Sequence, residues 1–316
     1  MPRAAASLRL LISVIGARTA ELEDAGQPRK GLSKVGGDVS GNLAKDLYSG
    51  FAEPLLPFFY VIAAILVALP LAAFVGFHLG RVEYRRRDYE ELPPEQVPGG
   101  TSLGAMLALL GLLLGFAFSS ARGWREARQS ALVEEAMAIG TAFLTADLLE
   151  EPGRTELQTR ILRYAQTRLA TAEDTRTSEA WAALLNRTLS AQAEIRPATR
   201  RAMETAPDPI RAAVARSVTE TLDAHTTRIA AAAEQIPPPA KLMVFLVATF
   251  AIFIVGNRSA LQGRSLTWRT FVFAGVLSVV MIVIFDLDRS LEGTMRVNPD
   301  TLRATIAEMD RALVAL

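Results

Sequence analysis

The stretch "SLGAMLALLGLLLGFAFSSARGWREARQSALVEEAMAIG", residues 102–140, decides the fold. Its first part, 102–120, carries no charged residue and is close to the roughly 20 apolar residues that a membrane-spanning helix needs. Its second part is charged but keeps the apolar spacing of a helix. Only Gly123 interrupts the pattern where the two parts meet. We therefore expect one long helix that leaves the membrane and continues into a water-soluble region.

Three further apolar runs, at 54–80, 242–256 and 271–285, are nearly free of charge. The last is short unless the preceding "LTWR" is included, with Trp268 at the membrane interface. Four such runs in one chain favour membrane spans over buried core helices of a large soluble protein. The pattern predicts four spans.

A polar segment of 116 residues, 121–236, separates the second and third runs and shows helical periodicity without strand signals. The predicted class is therefore all-α: a four-span helical membrane protein with a helical soluble insert between the second and third spans. The expected segments are a flexible or short-helix N-terminal segment (1–50), a first transmembrane hairpin (51–122), the helical insert (123–236), a second transmembrane hairpin (237–290) and a C-terminal tail helix (291–316).

Composition argues against several functions. A net charge of +1 does not indicate a nucleic-acid-binding protein. The absence of cysteine excludes disulfides and thiolate metal sites. The two histidines, His78 and His225, lie far apart, and no phosphate-binding loop or nucleophile elbow is present. We expect neither an enzyme nor a bound cofactor.

The second span contains the first candidate site residues. Gly111 and Gly115 have the spacing that lets helices approach closely, which suits a pore-lining helix but also ordinary packing. Phe116 and Phe118 follow, and phenylalanines at a pore axis can form a hydrophobic gate. The alternative is that they face lipid or a protein core.

Arginines follow at the end of this span. Arg122 and Arg125 of several copies would form a ring that attracts anions, and they are candidates for an anion vestibule. The alternative is a set of interfacial anchors, with Arg122 paired to Glu126 four residues later.

A second landmark, "MIVIFDLDRSLEGTMRV" (281–297), places carboxylates at the end of the fourth span. Ionisable groups at this position are functional candidates. Asp286 and Asp288 could pair with the arginines after the second span, as a charged clasp between the hairpins. With Glu292 they could instead form a weak cation site, because Ca²⁺ prefers carboxylate oxygens.

Together these stretches resemble a known family. The segment 109–154, the Asp-Leu-Asp-Arg-x-x-Glu-Gly pattern beginning at Asp286, and the triple proline at 237–239 are similar to the bacterial bestrophin-like domain family. The resemblance covers about residues 54–310. Bestrophins are four-span helical proteins that assemble as pentamers around a central anion pore, and their second span lines a narrow hydrophobic neck.

The resemblance implies that Gly111, Gly115, Phe116 and Phe118 lie beside the pore, with Arg122 and Arg125 at its mouth. The acidic run that forms the calcium clasp of animal bestrophins is not matched after the last span, and neither is a clear aromatic neck pattern. Calcium gating is therefore not expected.

The first hypothesis is a homo-oligomeric channel, with five copies implied by the family, that passes anions such as chloride. It would be a multi-pass protein of the bacterial plasma (inner) membrane, with the lipid bilayer as a partner and no nucleic acid. The alternative is a membrane-anchored sensor or scaffold whose helical insert binds a ligand or partner without conduction. A proton-driven channel is disfavoured because no Asp or Glu lies inside the four apolar runs.

Overall fold

The computed structural model describes residues 58–86, 100–170, 174, 178–289 and 297–315. These ranges contain helices and connecting segments but no strand, and the predicted all-α class is confirmed. The helices are α1 (Phe58–Arg86), α2 (Gly100–Ala146), α3 (Gly153–Thr167), α4 (Ser178–Ala202), α5 (Asp208–Ala233), α6 (Pro238–Leu261), α7 (Trp268–Asp288) and α8 (Asp300–Val314). The N-terminal segment 1–50 and the start of the first predicted span lie outside the described residues.

Helices α1, α2, α6 and α7 contain four stretches long and apolar enough to cross a membrane, as expected. Their shared core includes Ile65 and Leu69 of α1, Leu110 of α2, Ile252 of α6 and Met281 of α7. Within the described residues, α1 packs most extensively against α6, and α2 packs against α6 and α7. The spans that pack most closely are therefore not consecutive in the sequence.

Three glycines lie in the contact between α1 and α6, namely Gly76, Gly80 and Gly256, and the first and last of them approach the partner backbone most closely. A Cβ atom at Gly76 would lie 2.1 Å from the backbone oxygen of Phe253, and one at Gly256 would lie 2.1 Å from that of Ala73. Each helix thus brings a glycine against the backbone of the other, which allows the close approach typical of small residues in membrane helices. Backbone on both sides leaves no flexible side chain that could move aside.

Gly256→Ala is therefore expected to lower the free energy of unfolding by about 1–3 kcal/mol, the usual cost of overpacking. Thermal unfolding in detergent measures the change. Gly275→Ala on α7 is the matched control, because no atom of the described residues lies within 4 Å of a Cβ there. Equal unfolding midpoints for the two variants would contradict this account of the helix contact.

The soluble part forms a second core. The C-terminal half of α2 contributes Ile139 and Phe143, α3 contributes Tyr164, and the tail helix α8 contributes Leu302 and Met309. Helix α2 is 47 residues long and joins the two cores, which confirms the predicted continuous helix. At 1.5 Å per residue it extends about 70 Å.

Candidate functional site

Helix α2 is the least covered of the four spans. Of its most apolar 18-residue window, 6% is buried, compared with 22%, 28% and 44% for the first, third and fourth spans. Its covered side carries Leu110 and Ala121, which belong to the membrane core. Further residues of the span, among them Leu113 and Ala117, are partly buried against the same core, and the opposite side of the helix is exposed.

A face of small residues runs along this uncovered surface. No atom of the described residues lies within 4 Å of a Cβ atom built at Gly111 or Gly115. At about 100° per residue, Phe118 and Arg122 fall within about 60° of Gly115 on the same face. The phenyl ring of Phe118 is exposed in the single chain. The structure thus places four of the predicted site residues on one open face of α2, named here the glycine face.

Phe116 lies elsewhere. It projects about 100° round the helix from Gly115 and is 64% exposed. It lines a cavity of 270 Å³ between α2, α6 and the end of α7. The two phenylalanines of the span therefore do not share a face.

The two vestibule candidates also differ in their surroundings. The Nε of Arg122 lies 2.7 Å from the Oε1 of Glu126, in an exposed pair one helical turn apart. Arg125 is half-buried, and its buried Nε has no hydrogen-bond acceptor among the described residues. Arg122 remains open to solvent beside the glycine face, whereas Arg125 is partly enclosed.

Arg128 ties together three chain segments where they leave the membrane core. Its guanidinium donates to the backbone oxygens of Leu287 at 2.7 Å and Glu234 at 3.1 Å, and it lies 3.4 Å from that of Asp288. The side chain is buried. It therefore links α2 to the end of α7 and to the segment between α5 and α6.

Asp288 holds the same junction with its carboxylate. Its Oδ2 lies 2.5 Å from the Nζ of Lys241, and its Oδ1 accepts a hydrogen bond of 2.7 Å from the backbone N–H of Ile236. The carboxylate is fully buried. Asp288 thus belongs to a clasp between α7 and the start of α6. Its ion-pair partner is a lysine, and the α2 arginine reaches backbone oxygens instead.

Of the other members of the acidic cluster, the structure describes Asp286, which projects from a different side of α7 than Asp288. Asp286 is buried near the end of α7, about 200° round the helix from Asp288. Glu292 lies outside the described residues. Across the described ranges, no group of three or more His, Asp or Glu side chains is placed to hold a metal ion.

A second polar cluster lies inside the insert. The fully buried carboxylate of Glu135 on α2 accepts hydrogen bonds from Arg168 Nε at 2.7 Å and from Arg228 Nη1 at 2.5 Å. It also accepts one from the hydroxyl of Tyr164 at 3.0 Å. The Nδ1 of His225 lies 2.9 Å from that hydroxyl. A carboxylate only accepts, so the hydroxyl donates to Glu135, and a proton on His225 Nδ1 can be donated to the hydroxyl oxygen and to Glu135 Oε1, which lies 3.5 Å from Nδ1.

The charges of this cluster perturb its titration. Burial raises the pKa of Glu135, but Arg168, the hydrogen bond with His225 and Arg228 together hold that pKa well below its ordinary value. Burial lowers the pKa of His225 and outweighs the hydrogen bond to Glu135, which raises it. The insert therefore holds an ionised glutamate, and a histidine that is harder to protonate than in the unfolded chain.

This arrangement predicts acid sensitivity. Because the folded pKa of His225 is depressed, the unfolded chain binds more protons than the folded one below pH of about 6.5. Stability is full above this pH and falls as the pH drops towards the folded pKa. We expect the thermal unfolding midpoint in detergent to fall between about pH 7.5 and 5.5, and His225→Gln to flatten that slope. An equal slope in both proteins would contradict the assignment.

Sequence reasoning missed Lys241 and the Glu135 cluster. Lys241 is the only lysine after Lys45, and it stands at the start of a span. This unusual position could have marked it as a candidate ion-pair partner. Glu135, Tyr164 and His225 come from three helices that are separate in sequence. No local spacing connects them.

The sequence of the chain also matches a known protein family. The sequence model of the bestrophin-like domain covers residues 64–302. The chain belongs to the bestrophin-like family. This confirms the resemblance seen in the second span and in the Asp286–Gly293 stretch. None of the curated proteins compared with the chain matches it.

Solved structures of bestrophin homologues share this fold. A bacterial bestrophin homologue from Klebsiella pneumoniae is 13% identical, with a TM-score of 0.58 over 79% of this chain and 97% of the other. A tryptophan-to-alanine variant of the Klebsiella pneumoniae homologue is 15% identical, with a TM-score of 0.55 over 81% and 97%. At such low identity the likeness establishes the shared fold alone. This bestrophin-like protein is thus a helical membrane protein built as those homologues are.

Proposed function

We propose that this bestrophin-like protein forms a homo-oligomeric, anion-permeable channel in the bacterial plasma (inner) membrane, which it crosses four times. Copies of α2 surround a central axis, and five is the number that the family resemblance implies. Chloride is the simplest ion of the proposed class. The residues proposed to line the path are Gly111, Gly115 and Phe118 of the glycine face, with Arg122 and Arg125 at its mouth. Phe116 lines the cavity beside α6 and is not part of this path.

The uncovered surface of α2 is the observation that carries this proposal. Small residues on a membrane helix favour contact with another helix, because they let backbones approach and add little lipid contact of their own. The described residues of the chain supply no helix for the glycine face. Helix α2 of a second copy can supply that helix. In a closed ring of copies, part of the uncovered surface of each α2 would face the central axis.

The chemistry of the path supports anions. Within 102–120 the helix contributes no charged side chain, and a hydrophobic constriction gates conduction by excluding water. Arg122 follows directly on the glycine face and stays exposed. Arginine at a pore mouth concentrates anions. Its pairing with Glu126 is exposed to solvent and contributes little energy, so the guanidinium remains available to passing ions.

Charge reversal tests the proposal. The protein is reconstituted in chloride-loaded liposomes, and the reversal potential gives the chloride-to-sodium permeability ratio. Arg122→Glu is expected to lower this ratio severalfold by replacing attraction with repulsion. Arg216→Glu is the matched control, because Arg216 is also exposed and paired with a glutamate four residues later, on the insert. Unchanged ratios in both variants would count against the vestibule.

One structural observation is also compatible with the sensor or scaffold hypothesis. Arg128, Asp288 and Lys241 join the spans to the insert, and such a junction can transmit a change in either direction. In that case purified protein shows no efflux under any tested pH, and its mass corresponds to a monomer or dimer. Efflux from a larger oligomer favours the channel.

A further inference from the structure

The cavity beside Phe116 is lined mainly by apolar side chains and by one cationic side chain. Phe116, Ala117 and Trp124 of α2 form one wall, Ala240 and Lys241 of α6 form another, and Phe285 of α7 contributes an edge. Its volume is 270 Å³, near the lower limit of about 300 Å³ for small-molecule sites. Most of the lining is apolar, and among the lining residues Lys241 is the cation.

The position of the cavity limits what can enter it. Phe116 and Met243 line it and are exposed on the membrane portion of the chain, so the cavity opens at the level of the bilayer. At that depth the surrounding medium consists of acyl chains. The volume suits part of one chain and is too small for two. Lys241 stands in the first turn of α6, near the interface, where a polar head group resides.

The charge at the rim favours an anion. The Lys241 side chain is 27% exposed, and the side chain of its partner Asp288 is fully buried. The Asp288 carboxylate also accepts from the Ile236 amide and attracts Arg128. Lys241 pairs with this carboxylate, and Arg128 contacts the backbone oxygens beside it, so two cations lie near one carboxylate at the end of α7. A ligand carboxylate that enters from the membrane would neutralise the second of these two positive charges.

We propose that this cavity binds a long-chain fatty acid, with its acyl chain between α2 and α6 and its carboxylate at Lys241. The chain would lie against Phe116 and Trp124. A ligand in this cavity would contact both α2 and the ion pair of Lys241 with Asp288. The binding itself does not depend on whether the protein conducts anions.

Tryptophan quenching tests the proposal in the full chain. The protein has three tryptophans, and Trp181→Phe with Trp268→Phe leaves Trp124 as the only emitter. The variant is purified in nonionic detergent and titrated with dibromostearic acid, whose bromines quench indole. We expect saturable quenching that stearic acid reverses by competition. The methyl ester of the same acid is the uncharged probe.

Two filling variants and one charge variant locate the site. Ala240→Phe and Ala117→Phe occupy the cavity from opposite walls, and each is expected to raise the half-saturating concentration at least about tenfold by excluding a few methylenes. Ala64→Phe, at an exposed position of α1, is the matched control and should leave it unchanged. Lys241→Gln is expected to remove the preference for the acid over its methyl ester while quenching persists.

The contrary results are equally definite. Quenching that never saturates, or that both filling variants leave unchanged, means partitioning into the micelle and overturns the proposal. Stronger quenching by a brominated phosphatidylglycerol than by the fatty acid assigns the cavity to a bilayer phospholipid instead. A smaller particle mass for both filling variants would show that the cavity is occupied by a neighbouring copy. Chloride efflux plays no part in these measurements, so failure here leaves the proposed channel standing.

Discussion

Glu135→Ala is expected to lower the free energy of opening of the insert by about 3–5 kcal/mol, the usual cost of removing one partner from a buried ion pair. The carboxylate is fully buried and accepts from Arg168, Arg228 and Tyr164. Truncation removes a buried negative charge that pairs with two largely buried guanidinium groups. It also removes the group that connects α2 to α3 and α5. Hydrogen exchange of insert amides measures this free energy.

The neighbouring residue supplies the control. Glu134 is exposed, and its carboxylate accepts only a long hydrogen bond of 3.3 Å from Ser130 among those described. Glu134→Ala is expected to change the opening free energy by less than about 0.5 kcal/mol. Glu135→Gln keeps the shape and loses the charge, so it should fall between the two. Similar exchange rates in the Glu134 and Glu135 variants would show that the cluster does not hold the insert together.

Asp288→Ala is expected to destabilise the junction by about 3–5 kcal/mol. The substitution removes the charge partner of Lys241 and the acceptor of the Ile236 N–H. An unsatisfied buried donor alone costs about 1–3 kcal/mol. Asp288→Asn separates the two effects, because its amide oxygen can still accept from Ile236 while the charge is lost. We expect it to retain part of the stability.

The same variants distinguish a clasp from a cation site. Thermal unfolding in detergent is measured with calcium and with a chelator. For a clasp, Asp288→Ala lowers the midpoint equally in both, and Asp310→Asn, at an exposed position of α8, leaves it unchanged. A midpoint that rises with calcium in the parent and not in Asp288→Ala would establish a cation site at the end of α7.

The path of α2 could be predicted because its information is local. The apolar run ends near Ser120 and the helical spacing of apolar residues continues beyond it, so a single period covers the membrane and the insert. The four spans follow from length and hydropathy in the same way. The family resemblance likewise rests on contiguous stretches of sequence. The spans and the family could therefore both be predicted from the sequence alone.

The packing partners could not be predicted because they depend on distant segments. Gly111 and Gly115 carry the spacing that indicates close helix packing, yet within the described chain the close approach occurs at Gly76, against Phe253, and at Gly256, against Ala73. Glycine spacing shows where a backbone is accessible, and does not show which helix will meet it. Asp288 had several arginines as candidate partners. The choice of Lys241 depends on where α6 begins relative to α7.

Cysteine labelling of α2 tests the central claim most directly, because the chain has no cysteine of its own. Single variants Gly115→Cys and Phe118→Cys place a thiol on the glycine face, and Leu110→Cys places one on the covered face as the control. Chloride efflux from liposomes is measured before and after a bulky, charged thiol reagent. The account predicts efflux that labelling blocks at positions 115 and 118 and leaves intact at 110. Absence of efflux from an oligomeric parent, or labelled Gly115→Cys and Phe118→Cys proteins that still conduct fully, would contradict it.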